Sequence, residues 1–222
     1  MVGVGFLASL PSPSHVQGHA GPSLSPEGRG KFWRHLMTGS AISAGVIAEV
    51  VVAARALLRV ENGEDVVLAR LAQTALLLAE AFLGAAVIGR PFEDVVTSAA
   101  GWRRLVVAPV SAIAGFTGLP ADGAPFVLAV GAYAVDIDAD GVGWVRVLAA
   151  GSAGRVAVAY SAGIALSFEA VPAPIAQGVA MLVAHLFDHR ESDVAPPAAV
   201  AALWRPYRRM RLGLEVYPGA LA

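Results

Sequence analysis

Apolar residues recur at two different spacings along this chain, and the change of spacing limits the folds that it can adopt. From Ala41 to Leu58, and again from Leu68 to Leu83, they recur every three or four residues, which places them on one face of a helix. Between Phe92 and Ala170, short runs rich in Val, Tyr, Phe and Trp alternate with Gly, Pro and Asp, as in strands joined by tight turns. After Pro172 the helical spacing returns, so the chain contains both helices and sheet.

The N-terminal helical part predicts an antiparallel hairpin of two helices. Asn62 and Gly63 supply the turn between them, and Glu64 and Asp65 place negative charge at the positive end of the second helix dipole. The second helix is expected to stop before Pro91, which cannot continue it.

The β region predicts a small module of short strands. Asp140-Gly141 is a hairpin signal, because both residues tolerate positive φ. A third helix after Pro172 and a short one from Pro197 to Trp204 complete the elements. We therefore expect an α+β fold that is mainly helical, with an N-terminal helical hairpin, C-terminal helices and an inserted small β module. The strands are expected near residues 104–108, 126–130, 133–138, 143–149, 155–160 and 164–169.

The length of 222 residues suits one domain with appendages. Residues 1–40 hold four prolines among Ser, Gly and His without any period, which predicts a disordered or loosely attached arm. Residues 41–213 are expected to form the single domain, and residues 206–222 a basic C-terminal tail. Within the domain, the divisions are 41–90 for the hairpin, 91–170 for the β module and 172–205 for the C-terminal helices.

Composition tests the membrane and nucleic-acid interpretations. A hydrophobic content of 56% and a mean hydropathy of +0.64 are high, but the apolar stretches carry breakers such as Pro109 and Pro120, or a charge such as Glu80. A membrane-associated protein is thus the less favoured alternative. A net charge of −1 offers no global attraction for nucleic acid, and the absence of cysteine excludes disulfides and thiolate sites.

Three motifs could carry chemistry, and none is complete. His185 and His189 lie four apart with Asp188 beside them, but Leu186 stands where a zinc protease of this spacing needs its general-base glutamate. Ser152 and Ser161 both lack the glycine pattern of a nucleophile elbow, and no phosphate-binding loop or dinucleotide fingerprint occurs. We predict no catalytic residue, no metal and no cofactor.

The third motif is acidic. Asp136, Asp138, Asp140 and Gly141 copy the first half of a calcium loop, but Val147 occupies the position of the bidentate glutamate. Strand alternation beside a hairpin turn explains the aspartates without an ion.

The C-terminal segment is either a solvated basic tail or a partner-binding surface. Arginines alternate there with aromatic residues, a combination that is enriched in protein interfaces and also binds phosphate. Its residues are Trp204, Arg205, Tyr207, Arg208, Arg209 and Arg211.

Several stretches resemble the head-tail connector, or adaptor, family of tailed phages and gene transfer agents. The most specific is VPAPIAQGVAMLVAHLFDHRE from Val171 to Glu191, preceded by RVAVAYSAG and followed by PPAAV and WRPYRRMRL. Looser similarities lie in ARALLRV, in the helix containing Glu80, and in LVVAPV, and the resemblance extends over about residues 45 to 212.

This resemblance implies a non-catalytic virion protein at the head-tail junction, assembled in the bacterial cytoplasm. It implies a ring of identical subunits, commonly dodecameric, between the portal protein and the tail-side stopper or tail-completion protein. DNA would pass through the channel without sequence-specific binding, and the C-terminal segment would reach the portal. The alternatives are a stopper or tail-completion protein and, from a different class, a small metal-dependent hydrolase built on His185, His189 and Asp188.

Overall fold

Four α-helices and seven β-strands make up the part of the chain that the structure, a computed structural model, describes: residues 40–58, 64–190 and 192–209. The helices occur at the four places where the apolar spacing predicts them. The expected arm lies outside the described residues except for Ser40. The helices are α1 (Ala44–Leu58), α2 (Asp65–Leu83), α3 (Ala173–Asp188) and α4 (Ala198–Trp204).

The buried faces of the four helices form one hydrophobic core. α1 buries Val46, Val50 and Ala54 at helical spacing, and α3 packs against α1, α2 and α4. α2 ends at Gly84, whose φ of 66° is left-handed and whose N–H donates to the Glu80 carbonyl at 2.9 Å. Glycine adopts this conformation without steric cost, so it ends the helix cleanly.

Among the described helices, α2 is long and apolar enough to cross a bilayer. This is weak evidence for a membrane span, because the core helix of a soluble protein has the same length and composition. In this structure α2 buries one face against α1 and α3, and its Glu80 is 1% exposed and ion-paired with Arg90. These contacts place one face of α2 in the core of the helical unit, while its other face is exposed.

Seven antiparallel strands form two sheets. The first sheet has the order β1-β7-β3-β4, and the second has the order β2-β6-β5. The expected hairpin at Asp140-Gly141 is present, since β5 pairs with β6 on either side of it. The strands are β1 (Arg90–Thr97), β2 (Arg103–Arg104), β3 (Val110–Pro120), β4 (Phe126–Val127), β5 (Tyr133–Ile137), β6 (Gly143–Val147) and β7 (Ala153–Ala162).

The two sheets share a second hydrophobic core. Phe116 of β3 stacks on Tyr133 of β5 with their ring centroids 3.8 Å apart, which joins the sheets across the core. Phe92 and Tyr160 stack at 5.9 Å within the first sheet. The fold therefore consists of a helical unit and a sheet unit, each with its own core.

The expectation of a mainly helical fold is wrong. Helices account for about 38% and strands for about 27% of the structure, and the strands form two sheets rather than a small inserted module. The long strands β1 and β3 were absent from the prediction, whereas the strand expected at 164–169 is only an isolated bridge between Ile88 and Ala165. β3 is rich in Ala, Gly and Ser, which have weak strand propensity, and pairing with β7 along its length overrides that weakness.

A short stretch, residues 85–89, connects the two units. Its carbonyls at Ala86 and Val87 accept hydrogen bonds from the N–H groups of Ile164 and Ala165, at 3.0 and 3.1 Å. A side chain at Gly163 would lie 2.3 Å from the backbone of residue 89, so only glycine permits this close approach.

Candidate functional site

The C-terminal segment begins at α4 and is anchored by Trp204. This side chain is 4% exposed, and its indole N–H donates to the Ile175 carbonyl of α3 at 3.2 Å. Gly178 makes room for it, because a Cβ there would lie 2.2 Å from the indole nitrogen. Of the six predicted contact residues, Trp204 thus lies in the helical core rather than on the surface.

Phe82 of α2 lies between an aromatic ring and a cation. Its ring is 5.7 Å from that of Trp204, and the Arg208 guanidinium lies 5.6 Å from the Phe82 centroid. Arg208 is exposed, so its guanidinium lies near the Phe82 ring and is also accessible to solvent.

Arg209 ties the segment to both structural units. Its backbone N–H donates to the Leu83 carbonyl at the end of α2, at 2.8 Å. Its Nη2 donates to the Asp140 carbonyl in the β5–β6 hairpin turn, at 2.6 Å. Arg209 therefore satisfies a helix-end carbonyl and fixes the hairpin beside it.

The exposed part of the predicted surface consists of Arg205, Tyr207 and Arg208. Arg205 and Tyr207 lie in a single 3-10 turn that follows α4, so they are held close to Arg208. Two guanidiniums beside a phenol can bind carboxylates or phosphates by charge-assisted hydrogen bonds. Arg211, the sixth predicted contact, lies outside the described residues.

The hairpin turn that Arg209 contacts is organised by Asp138. Its Oδ1 accepts hydrogen bonds from the N–H groups of Asp140 and Val142, at 3.0 and 2.9 Å, and its Oδ2 accepts from the Trp144 indole at 2.9 Å. Partial burial opposes ionisation, but the hydrogen bonds from Trp144, Val142 and Asp140, with the charge of Arg104, outweigh it and lower the pKa of Asp138. The carboxylate that a calcium loop would use already has three donors from its own turn.

His185 holds the loop that follows α3, whereas His189 caps the end of α3 itself. The His185 Nε2–H donates to the Val194 carbonyl at 3.0 Å, and the His189 Nδ1–H donates to the His185 carbonyl at 3.1 Å. The two rings stack at 4.5 Å. Within the described part of the chain, no three His, Asp or Glu side chains gather as a metal site requires.

Sequence reasoning missed a buried ion pair between the two units. The Arg90 guanidinium of β1 binds both oxygens of Glu80 in α2, at 2.6 and 2.7 Å, and the N–H of Val87 donates to the same carboxylate at 2.9 Å. Arg90 also lies 4.8 Å from the ring of Phe92. The position of Glu80 within an apolar helix indicated a buried charge that needs a partner. That the partner is Arg90, ten residues later, follows only from the fold.

A second buried polar group lies inside the sheet unit. Asp94 Oδ2 accepts hydrogen bonds from the Tyr160 hydroxyl at 3.0 Å and from the Val106 N–H at 2.7 Å. The Tyr160 oxygen in turn accepts from the Val107 N–H at 3.2 Å. This network fastens the segment before β3 to β1 and β7, and it contains no group that is poised for reaction in an open cleft.

Comparison with solved structures finds chains from gene transfer agent (GTA) particles among its matches. A chain from the "Neck of empty GTA particle computed with C6 symmetry" is 25% identical with a TM-score of 0.64, and the match covers 81% of this protein and 99% of that chain. A chain from the "Virion of native gene transfer agent (GTA) particle" is 25% identical with a TM-score of 0.61, covering 79% and 97%. A chain from the "Neck of native GTA particle computed with C12 symmetry" is 24% identical with a TM-score of 0.62, covering 81% and 99%.

No protein-family model and no curated protein matches the chain.

Proposed function

We propose that this protein is a non-catalytic structural component of the neck of a gene transfer agent or tailed-phage particle. There, a ring of its copies joins the portal to the tail-side stopper and surrounds the DNA channel. The observation that carries the proposal is the extent of the structural match, which covers 99% of a chain from a particle neck.

The chemistry of the described residues supports a structural role. Several of their buried polar groups, such as Glu80 with Arg90 and Asp94 with Tyr160, form hydrogen bonds that connect segments of the fold. Ring assembly is supported by relatives whose particle necks were computed with C6 and C12 symmetry.

We assign the portal contact to Arg205, Tyr207 and Arg208, together with Arg211. The first three are exposed on a turn that Trp204 and Arg209 hold against the helical unit. Arginine and tyrosine are enriched among the few residues that contribute most of the binding energy in protein interfaces. Repetition of this small surface around a ring gives avidity toward a symmetric partner.

The test is to mix the purified protein with the portal ring of the same particle and to measure the mass of the complex by size exclusion with light scattering. We expect a complex of defined mass with the wild-type protein. Arg205→Glu with Arg208→Glu should lower the affinity at least tenfold, because it reverses two charges in each subunit. Arg155→Glu, at an exposed position on β7, is the matched control and should bind normally.

Failure of the wild-type protein to bind portal at high concentration would overturn the portal contact. Binding to the tail-side partner in its place would indicate a stopper or tail-completion protein.

A further inference from the structure

One face of the helical unit is a wide apolar groove between α1 and α2. The groove has a volume of about 710 Å³. At its sides Val52 and Val66 are 66% and 69% exposed, which is unusual for large apolar side chains that lie close together. Leu77 continues the apolar face of α2 one turn beyond the groove.

The sheet unit has a second apolar surface, where two open sheet edges follow one another along the chain. β4 is the last strand of the first sheet and β5 the last strand of the second, and a 3-10 turn connects them. Unpaired edge strands offer backbone groups to another chain. We call this surface the rim; its exposed apolar residues are Phe126, Val127, Val130, Val135, Ile137 and Leu148.

The groove and the rim carry opposite charges. The groove is lined by Arg55, Arg70 and Asp65, two positive charges and one negative, which gives a net charge of +1. Between residues 122 and 148, the span that contains every rim residue, the chain carries Asp122, Asp136, Asp138 and Asp140 against one basic residue, Arg146, which gives a net charge of −3. Such complementarity selects a partner and fixes its orientation more than it adds affinity.

We infer that the groove of one subunit binds the rim of the next subunit in the ring. The inference rests on the proposed ring. Closed cyclic assemblies with more than two subunits use a heterologous interface, in which each copy presents two different, mutually complementary surfaces. The groove and the rim are two such surfaces: they lie on different structural units, are apolar, and carry opposite charges. By contrast, the exposed apolar residues Val95 and Leu166 have no exposed large apolar neighbour in the sequence.

The chain contains no cysteine, so introduced cysteines report on this interface without background. Val52→Cys and Val66→Cys in the groove are each combined with Val127→Cys or Val130→Cys in the rim, and the full chain is oxidised gently on the portal ring. We expect at least one of these four pairs to give a ladder of covalent oligomers on a non-reducing gel. Mixing a groove single variant with a rim single variant should give a covalent dimer only.

The matched control is Val95→Cys, an exposed valine on β1, which should give no ladder with Val52→Cys. The inference is overturned if the protein assembles with portal but none of the four pairs cross-links, or if the control pair cross-links equally well. A disulfide between Trp33→Cys and Val52→Cys within one chain would also overturn it, because the arm would then occupy the groove. If light scattering detects no assembly on portal at all, the proposed function fails together with the inference.

Discussion

The helical unit and the sheet unit are stabilised in different ways. The helical core consists of apolar faces that recur every three or four residues, and its most specific contact is Trp204 against Gly178. The sheet core encloses an ionisable network, in which Asp94 and Tyr160 bind backbone N–H groups of a distant segment. The helical unit thus depends mainly on shape, whereas the sheet unit also depends on satisfied polar groups.

The largest expected effect comes from the ion pair that joins the two units. Glu80→Ala leaves the Arg90 guanidinium buried without its carboxylate, and loss of one partner of a buried pair costs about 3–5 kcal/mol. The free energy of unfolding, measured by urea titration at low protein concentration, should fall by that amount. Replacing both residues, as Glu80→Leu with Arg90→Met, should recover most of the loss. A double variant as unstable as Glu80→Ala would contradict this account of the pair.

The second largest expected loss of stability concerns the helical unit alone. Gly178→Ala places a methyl group 2.2 Å from the Trp204 indole, and overpacking of this kind costs about 1–3 kcal/mol. Gly45→Ala in α1 is the matched control, because among the described residues no atom beyond its chain neighbours and its own helix backbone lies within 4 Å of the new Cβ, and alanine favours a helix. Thermal unfolding should separate the two variants, and equal stability would show that Trp204 is not confined as described.

A comparable test of the sheet unit is Tyr160→Phe. This change removes the hydroxyl that donates to Asp94 and accepts from the Val107 N–H, but it keeps the ring. We therefore expect the free energy of unfolding to fall by about 1–3 kcal/mol. Tyr133→Phe keeps the stack on Phe116 and is the control, for which a smaller loss is expected. Amide hydrogen exchange should show the loss of protection at Val106 and Val107. Unchanged exchange there would contradict the network.

The smallest expected effect concerns pH. The folded-state pKa of Asp138 lies below its unfolded value of about 3.9, so its ionisation stabilises the fold above that pH, and the contribution is lost as pH falls through the folded pKa. Asp138→Asn should remove about 1 kcal/mol or less at neutral pH and flatten the decline of stability below about pH 4. Asp140→Asn, in the same turn, keeps the Asp138 hydrogen bonds and should behave as wild type in acid titrations followed by circular dichroism.

How far the fold follows from the sequence differs between the two units. The helices were predictable because each depends on a spacing within one segment, as with Val46, Val50 and Ala54. β1 and β3 could not be predicted in this way, because their stability comes from pairing with β7. That strand lies more than 30 residues beyond either of them. The predicted fold class therefore contained too much helix.

The candidate surface also combines features that follow from local sequence with features that depend on distant contacts. The alternation of arginine and aromatic residues indicated a contact segment, but it could not separate Trp204, which is buried, from Arg205 and Tyr207, which are exposed. The role of Arg209 was also hidden, because its partners Leu83 and Asp140 lie far away in sequence.

The central claim, a structural role in the particle neck, is tested most directly by electron microscopy of particles from a producing strain that lacks this protein. The account predicts DNA-packaging heads and separate tails that fail to join, and restored joining when the wild-type chain is supplied. Intact tailed particles in the absence of the protein would contradict it.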